Sequence, residues 1–243
     1  MRKSIAAAAL IAALAATAGC GHARGEDPGP TVSRNYSVGD FRQIEVAGPY
    51  DVEVRTGPKV SVSAEGGEKL LGRTKVEVEG GKLMIHPEER HGFFNFGWST
   101  HGNAKFVVTV PALTAAQIAG SGDIKVDQVK GESFEGGVAG SGTLNVGSLQ
   151  VQLLKLDIAG SGGVKAGAGT AKTAQYEIAG SGDIDAGSIN AEQATVSIAG
   201  SGNVRAHATG SASVEVAGSG DVEITGGAKC SVSKHGSGDV RCS

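Results

Sequence analysis

Residues 118–126 read IAGSGDIKV, and the pattern returns at 138–146 (VAGSGTLNV), 158–166 (IAGSGGVKA), 178–186 (IAGSGDIDA), 198–206 (IAGSGNVRA), 216–224 (VAGSGDVEI) and 234–242 (KHGSGDVRC). The four-residue motif starts at Ala119, Ala139, Ala159, Ala179, Ala199, Ala217 and His235, with spacings of 20, 20, 20, 20, 18 and 18 residues. Such a period suits one turn of a β-helix, because extended chain advances about 3.3 Å per residue around the coil. The expected architecture is therefore all-β: a right-handed parallel β-helix, or β-solenoid, of about 20 residues per coil with an irregular N-terminal β cap.

Aligned on the motif, the repeats form columns. Just before it stand Ile118, Val138, Ile158, Ile178, Ile198 and Val216, and then Lys234. After it come Ile124, Leu144, Val164, Ile184, Val204, Val222 and Val240, and two residues further Val126, Val146, Ala166, Ala186, Ala206, Ile224 and Cys242. Alternation of period two on both sides of a Gly-rich bend predicts strand–bend–strand, with these columns facing inward. Lys234 breaks its column where an end coil meets water. The outward column Lys125, Asn145, Lys165, Asp185, Arg205, Glu223, Arg241 alternates in sign toward the C-terminus, so stacked neighbours attract.

Glycine permits the backbone that a corner needs, so Gly-Ser-Gly is read as geometry rather than chemistry. The seven serines from Ser121 to Ser237 are expected to stack into a hydroxyl ladder, since a catalytic serine is needed once, not seven times.

Residues 44–56, IEVAGPYDVEVRT, carry a degenerate copy of the unit, followed by strand-like runs at 60–64, 74–78, 83–86 and 105–110. Gly-Gly pairs at 66–67 and 80–81 are read as turns between them. This region, 34–110, is expected to cap the stack, with the repeat coils over 111–243. Within it the segment 86–103, HPEERHGFFNFGWSTHGN, is unlike the rest. Phe93, Phe94, Phe96 and Trp98 either pack over the solenoid or form an exposed binding loop, since clustered aromatics recognise sugars, peptides or lipid surfaces.

The N-terminus has the tripartite form of a secretory signal: Arg2 and Lys3, an apolar run from Ile5 to Ala16, then small residues. That run of 12 residues is short of the roughly 20 that span a bilayer. Thr17-Ala18-Gly19-Cys20 has the form of a lipoprotein signal with Cys20 lipidated, although Thr17 stands where Leu, Val or Ile is usual. Ala16-Thr17-Ala18 also fits ordinary signal peptidase. The expected division is a leader over 1–19, a flexible tether over 20–33 and one domain over 34–243. Removing Cys20 leaves Cys230 and Cys242, an even pair in the last repeat that suits a disulfide in an oxidising compartment. Export places the protein at the outer membrane as a lipoprotein or, with ordinary processing, free in the periplasm or medium.

The chain carries net charge −3, near −5 after such cleavage, which argues against nucleic acid as a partner. Aromatics are 4% and glycines number 40, so a thin aliphatic core fits better than a globular one.

The stretches FRQIEVAGPYDVEVRTG, GRTKVEVEGGKLMI and KFVVTVPALTAAQIAGSGDI, with the repeated AGSGD, resemble the head GIN domain family of auto-transporter adhesins over residues 34 to 243. The resemblance implies a secreted or lipid-anchored bacterial β-helix protein and supplies no catalytic residues. The chain is too short to hold a translocator barrel of its own.

Chemistry is otherwise sparse. No G-x-S-x-G occurs, and His235, Ser237 and Asp239 form a triad only on paper. The GSGD corners resemble Gly/Asp calcium repeats, but the column Asp123, Thr143, Gly163, Asp183, Asn203, Asp221, Asp239 interrupts the carboxylates. His86, His91 and His101 lack zinc-site spacing, so no metal and no cofactor is expected. The reading is a non-enzymatic envelope solenoid that binds carbohydrate or an envelope protein, attached to the membrane through a lipid anchor only. A structural or stress-related lipoprotein without a ligand is the alternative, ahead of a polysaccharide-acting enzyme.

Overall fold

A computed structural model describes residues 28–88 and 104–243. The cap region contains β1 (Thr31–Tyr36), β2 (Gln43–Ala47), β3 (Tyr50–Thr56), β4 (Ser61–Gly67), α1 (Glu68–Leu71), β5 (Thr74–Glu79), β6 (Lys82–Pro87) and β7 (Ala104–Val110). The coils follow as β8 (Ala115–Gly120), β9 (Asp123–Lys130), β10 (Ser133–Gly140), β11 (Thr143–Gly160), β12 (Gly163–Gly180), β13 (Asp183–Gly200), β14 (Asn203–Gly218), β15 (Val222–Thr225), β16 (Lys229–Gly236) and β17 (Val240–Cys242). The fold is a β-solenoid of stacked parallel coils, as the period requires.

Register follows the motif. In β10, β11, β12 and β13 the pairs Ala139↔Ala159, Ala159↔Ala179 and Ala179↔Ala199 lie directly over one another. The inward columns are the core: Ile118, Val138, Ile158, Ile178, Ile198 and Val216 are each 2% exposed or less. A second inward column runs Gly136, Leu156, Tyr176, Val196 and Val214, beside Phe134, Leu154, Ala174, Ala194 and Ala212. In two coils a large residue stands beside a small one, Phe134 next to Gly136 and Tyr176 next to Ala174, so that the aromatic ring has room in a thin core.

Each corner glycine has a left-handed backbone, from +132° at Gly160 to +141° at Gly236. The following serine donates its N–H to the glycine carbonyl one coil below, as in Ser181 to Gly160 at 2.8 Å and Ser201 to Gly180 at 2.8 Å. The ladder along this edge is thus made of backbone. The serine side chains are exposed and no hydrogen bond joins one hydroxyl to the next among the described residues, which corrects the expected hydroxyl ladder. Water competes for exposed hydroxyls, whereas the amides have no better partner.

The degenerate copy is a true coil. Ala47 pairs with Ala119 and Val54 with Val126, and Gly48 repeats the corner backbone at φ +125°. One coil lower, β6 and β7 pair in parallel with β2 and β3. Antiparallel strands then finish the ladders: β5 on β6, and β4 on β7 with β1 outside β4. Leu70 and Leu71 of α1, each 1% exposed, close the end of the core.

Two details differ from the sequence expectation. Within the stretch read as tether, the Pro28 and Pro30 carbonyls accept the N–H groups of Lys69 and Glu68, and β1 begins at Thr31. Gly66 and Gly67 end β4 instead of turning, and a Cβ on Gly67 would meet the Pro28 carbonyl at 2.5 Å. Gly80 and Gly81, at φ +57° and +79°, do form the two-residue hairpin between β5 and β6.

Cys230 and Cys242 are bonded, with Cα atoms 6.6 Å apart, and join the two strands of the last coil. Replacing both with serine should cost about 2–3 kcal/mol of local stability. Hydrogen exchange should then quicken over 229–242 while the middle coils keep their protection; unchanged exchange there would remove the clasp role.

Candidate functional site

Outward residues of the post-corner strands in the last four coils form a polar groove of about 390 Å³. Its floor follows from alternation: Ile184, Val204 and Val222 point into the core, each 2% exposed or less, so their neighbours point out. Two columns line it. Nearer the corner run Asp183, Asn203, Asp221 and Asp239; two residues on run Asp185, Arg205, Glu223 and Arg241.

The first column is partly structural. Asp183 Oδ1 accepts the backbone N–H of Asn203 at 3.0 Å and its side-chain amide at 2.8 Å. Asn203 Oδ1 accepts from the Asp221 N–H at 3.1 Å, and Asp221 Oδ1 from the Asp239 N–H at 2.8 Å. Lower in the stack Asp123 does the same for Thr143 at 2.8 Å. Each acidic or amide side chain therefore satisfies an amide of the next coil, which explains the Asp column without calcium.

The second column carries the alternating charges read from the sequence. Arg205 Nε lies 3.5 Å from Glu223 Oε2, Lys165 Nζ 4.0 Å from Asp185 Oδ2, and Arg241 3.8 Å from Asp239. These side chains are 47–80% exposed, so each pair adds little to stability and can exchange its partner for a ligand group. The result is a rigid lattice of carboxylates, one amide and two guanidinium groups repeating at about 4.8 Å. Such groups hydrogen-bond hydroxyls in pairs and suit an extended polyhydroxylated ligand. The sequence reading had both columns but not the groove, since four coils of side chains meet only once register is fixed.

A second polar spot lies on the opposite side of the corner. Burial and the nearby Glu135 and Glu177 push the Asp157 carboxyl up, with Lys155 opposing them. Lys155 Nζ is 3.9 Å from Asp157 and 3.7 Å from Glu135.

Of the other sequence candidates, Cys20, Phe93, Phe94, Phe96 and Trp98 lie outside the described residues, as do His91 and His101. The aromatic segment joins β6 to β7. His86 is structural: its Nε2 meets Glu77 Oε1 at 3.0 Å and its Nδ1 the Pro87 carbonyl at 2.9 Å. That contact, with Lys75 behind it, holds the Glu77 carboxyl below its usual range.

The family described as "Putative auto-transporter adhesin, head GIN domain" matches residues 40–228. The chain belongs to this family. Three solved structures superpose over 98–100% of their own length. A putative adhesin from Bacteroides fragilis is 25% identical with a TM-score of 0.81, covering 90% of this chain and 100% of that one. A putative lipid binding protein from Parabacteroides distasonis is 27% identical with a TM-score of 0.72, covering 89% and 98%. A putative adhesin from the same species, at 23% identity and a TM-score of 0.66 over 90% and 98%, shares the fold. No curated protein matches the chain.

Proposed function

We propose that this head GIN protein is an exported, non-enzymatic adhesin of the cell envelope that holds extended carbohydrate along the groove on its last four coils. The groove carries the reading: a flat, rigid array of Asp185, Arg205, Glu223 and Arg241 with spare hydrogen-bonding capacity. The adhesin family and its adhesin-named structural relatives support the general role. Cys20 as lipid anchor fits such display, and among the described residues no helix is long and apolar enough to cross a membrane. The lipid-binding name of one relative gains no support from the interior, which is filled by stacked side chains.

The test is glycan binding by the intact protein, by a variant combining Asp185→Ala, Arg205→Ala and Glu223→Ala, and by a form lacking residues 90–103. The three substitutions are on exposed positions that cap no amide, so stability should move by no more than roughly 0.5 kcal/mol each. Affinity should fall at least about tenfold, the loss of a few charged hydrogen bonds. Binding that survives the triple variant but not the deletion would move the site to the aromatic segment. No glycan bound by any form would favour the ligand-free structural role.

A further inference from the structure

The two ends of the stack are built differently. The N-terminal ladders finish under antiparallel strands and α1, as described above. At the other end β16 pairs with β14 and β17 with β15, and among the described residues no strand lies beyond them. Seven of the eight residues of β16 are exposed, and the eighth, Cys230, is half-buried. Val232 is 48% exposed, although Val196 and Val214 in the same column are each 1% exposed. One strip of core and one row of backbone N–H and C=O groups therefore open onto water together. A further strand would satisfy both.

Charge selects the strand. Lys229, Lys234 and Arg241 stand on this end against one acidic side chain, Asp239, on a chain whose net charge is −3 with histidine neutral. Lys234 occupies the inward column, where Val216 sits one coil below, and reaches across the end of the core to donate to the Gly238 carbonyl at 2.7 Å. Lysines so placed repel a second copy of the same edge, since Lys229 and Lys234 would meet their own counterparts. They attract a strand bearing carboxylates instead. We propose that the last coil is a strand-accepting edge, and that its occupant is an extended, acidic segment of a partner protein laid along β16.

A synthetic octapeptide of alternating valine and glutamate tests this on the intact, isotope-labelled protein, followed by amide NMR. Chemical-shift changes should concentrate on 229–242 and weaken with added salt over a range that shortens the screening length from about 10 Å to 3 Å. A valine–lysine octapeptide should leave the spectrum unchanged. Lys229→Glu with Lys234→Glu should weaken the acidic peptide about tenfold, as expected for two reversed exposed charges. Lys229→Glu alone, which leaves the Lys234–Gly238 contact intact, should weaken it in the same direction. Equal binding of both peptides, or no shift with either, would overturn the proposal. So would protection from exchange, in the protein alone, of the β16 amides that point away from β14, because the open side of the edge would then be covered. A dimer in sedimentation that Val232→Asp dissolves would instead make a second copy the occupant, against the charge argument.

Discussion

Gly180→Ala should destabilise the protein by about 3 kcal/mol or more, a backbone strain of about 1–3 kcal/mol plus a steric term. At φ +137° the residue sits where only glycine is unstrained. An added Cβ would fall on the carbonyl oxygen of Gly160 in the coil below. That oxygen accepts the Ser181 N–H at 2.8 Å, so the coils cannot part to make room without losing the bond. Gly163→Ala is the control: it lies beside the Gly160 corner one coil below, its nearest neighbour to a Cβ is the Asp183 carbonyl at 3.8 Å, and its φ is not positive. It should change stability by less than about 0.5 kcal/mol. Denaturant midpoints of the two variants check the contrast. Because each coil touches only its neighbours, a weak joint at Gly180 should also split one unfolding transition into two. Equal midpoints would mean that the corners do not hold the spacing of the stack.

This contrast explains what could be read from the sequence. The AGSG column, the apolar columns on either side and Lys234 each repeat at fixed offsets, and a repeat converts one residue's environment into seven. Inward and outward faces were therefore legible down to Ile124 and Asp185. The disulfide was legible too, because Cys230 and Cys242 form an even pair within the last repeat. What failed to show lacks repetition. β1 begins at Thr31 in a stretch rich in glycine and proline, and only its pairing with β4 makes it a strand. The helix α1 has four residues, too few for any periodicity, and exists because Leu70 and Leu71 fill the mouth of the core. The groove and the asymmetry of the two ends are properties of the stacked whole. Asp183 and Asp221 were legible as members of one column, but only the register shows that each lies beneath the amide it accepts from.

The departure of the first coil from the motif predicts the other large effect. Tyr50 stands where later coils have the second glycine of GSG, since Asp51 pairs with Asp123 and Tyr50 thus falls beside Gly122. In the coils above, that inward place must be glycine: a Cβ at Gly162 would meet Val138 Cγ1 at 2.5 Å. Beneath Tyr50, however, lies Ala104 of β7, which leaves room for a large side chain. The ring fills that place, fully buried, edge-on to Phe106 at 5.6 Å. Phe106 in turn lies 6.2 Å from the ring of Tyr36 in β1. The phenol pairs with Thr74 Oγ1 at 3.1 Å, and Thr74 donates to the Leu70 carbonyl at 2.8 Å, so one side chain ties the first coil to β5 and α1. Tyr50→Ala should cost about 3–5 kcal/mol, as large aromatic truncations in cores do. Tyr50→Phe should cost only about 1 kcal/mol, the worth of one hydrogen bond. Exchange measured by residue should show the alanine variant opening β1, β4 and β5 first while coils beyond β11 stay closed. Uniform opening of the whole stack would show that the cap and the coils fold as one unit rather than as a plug set into a repeat.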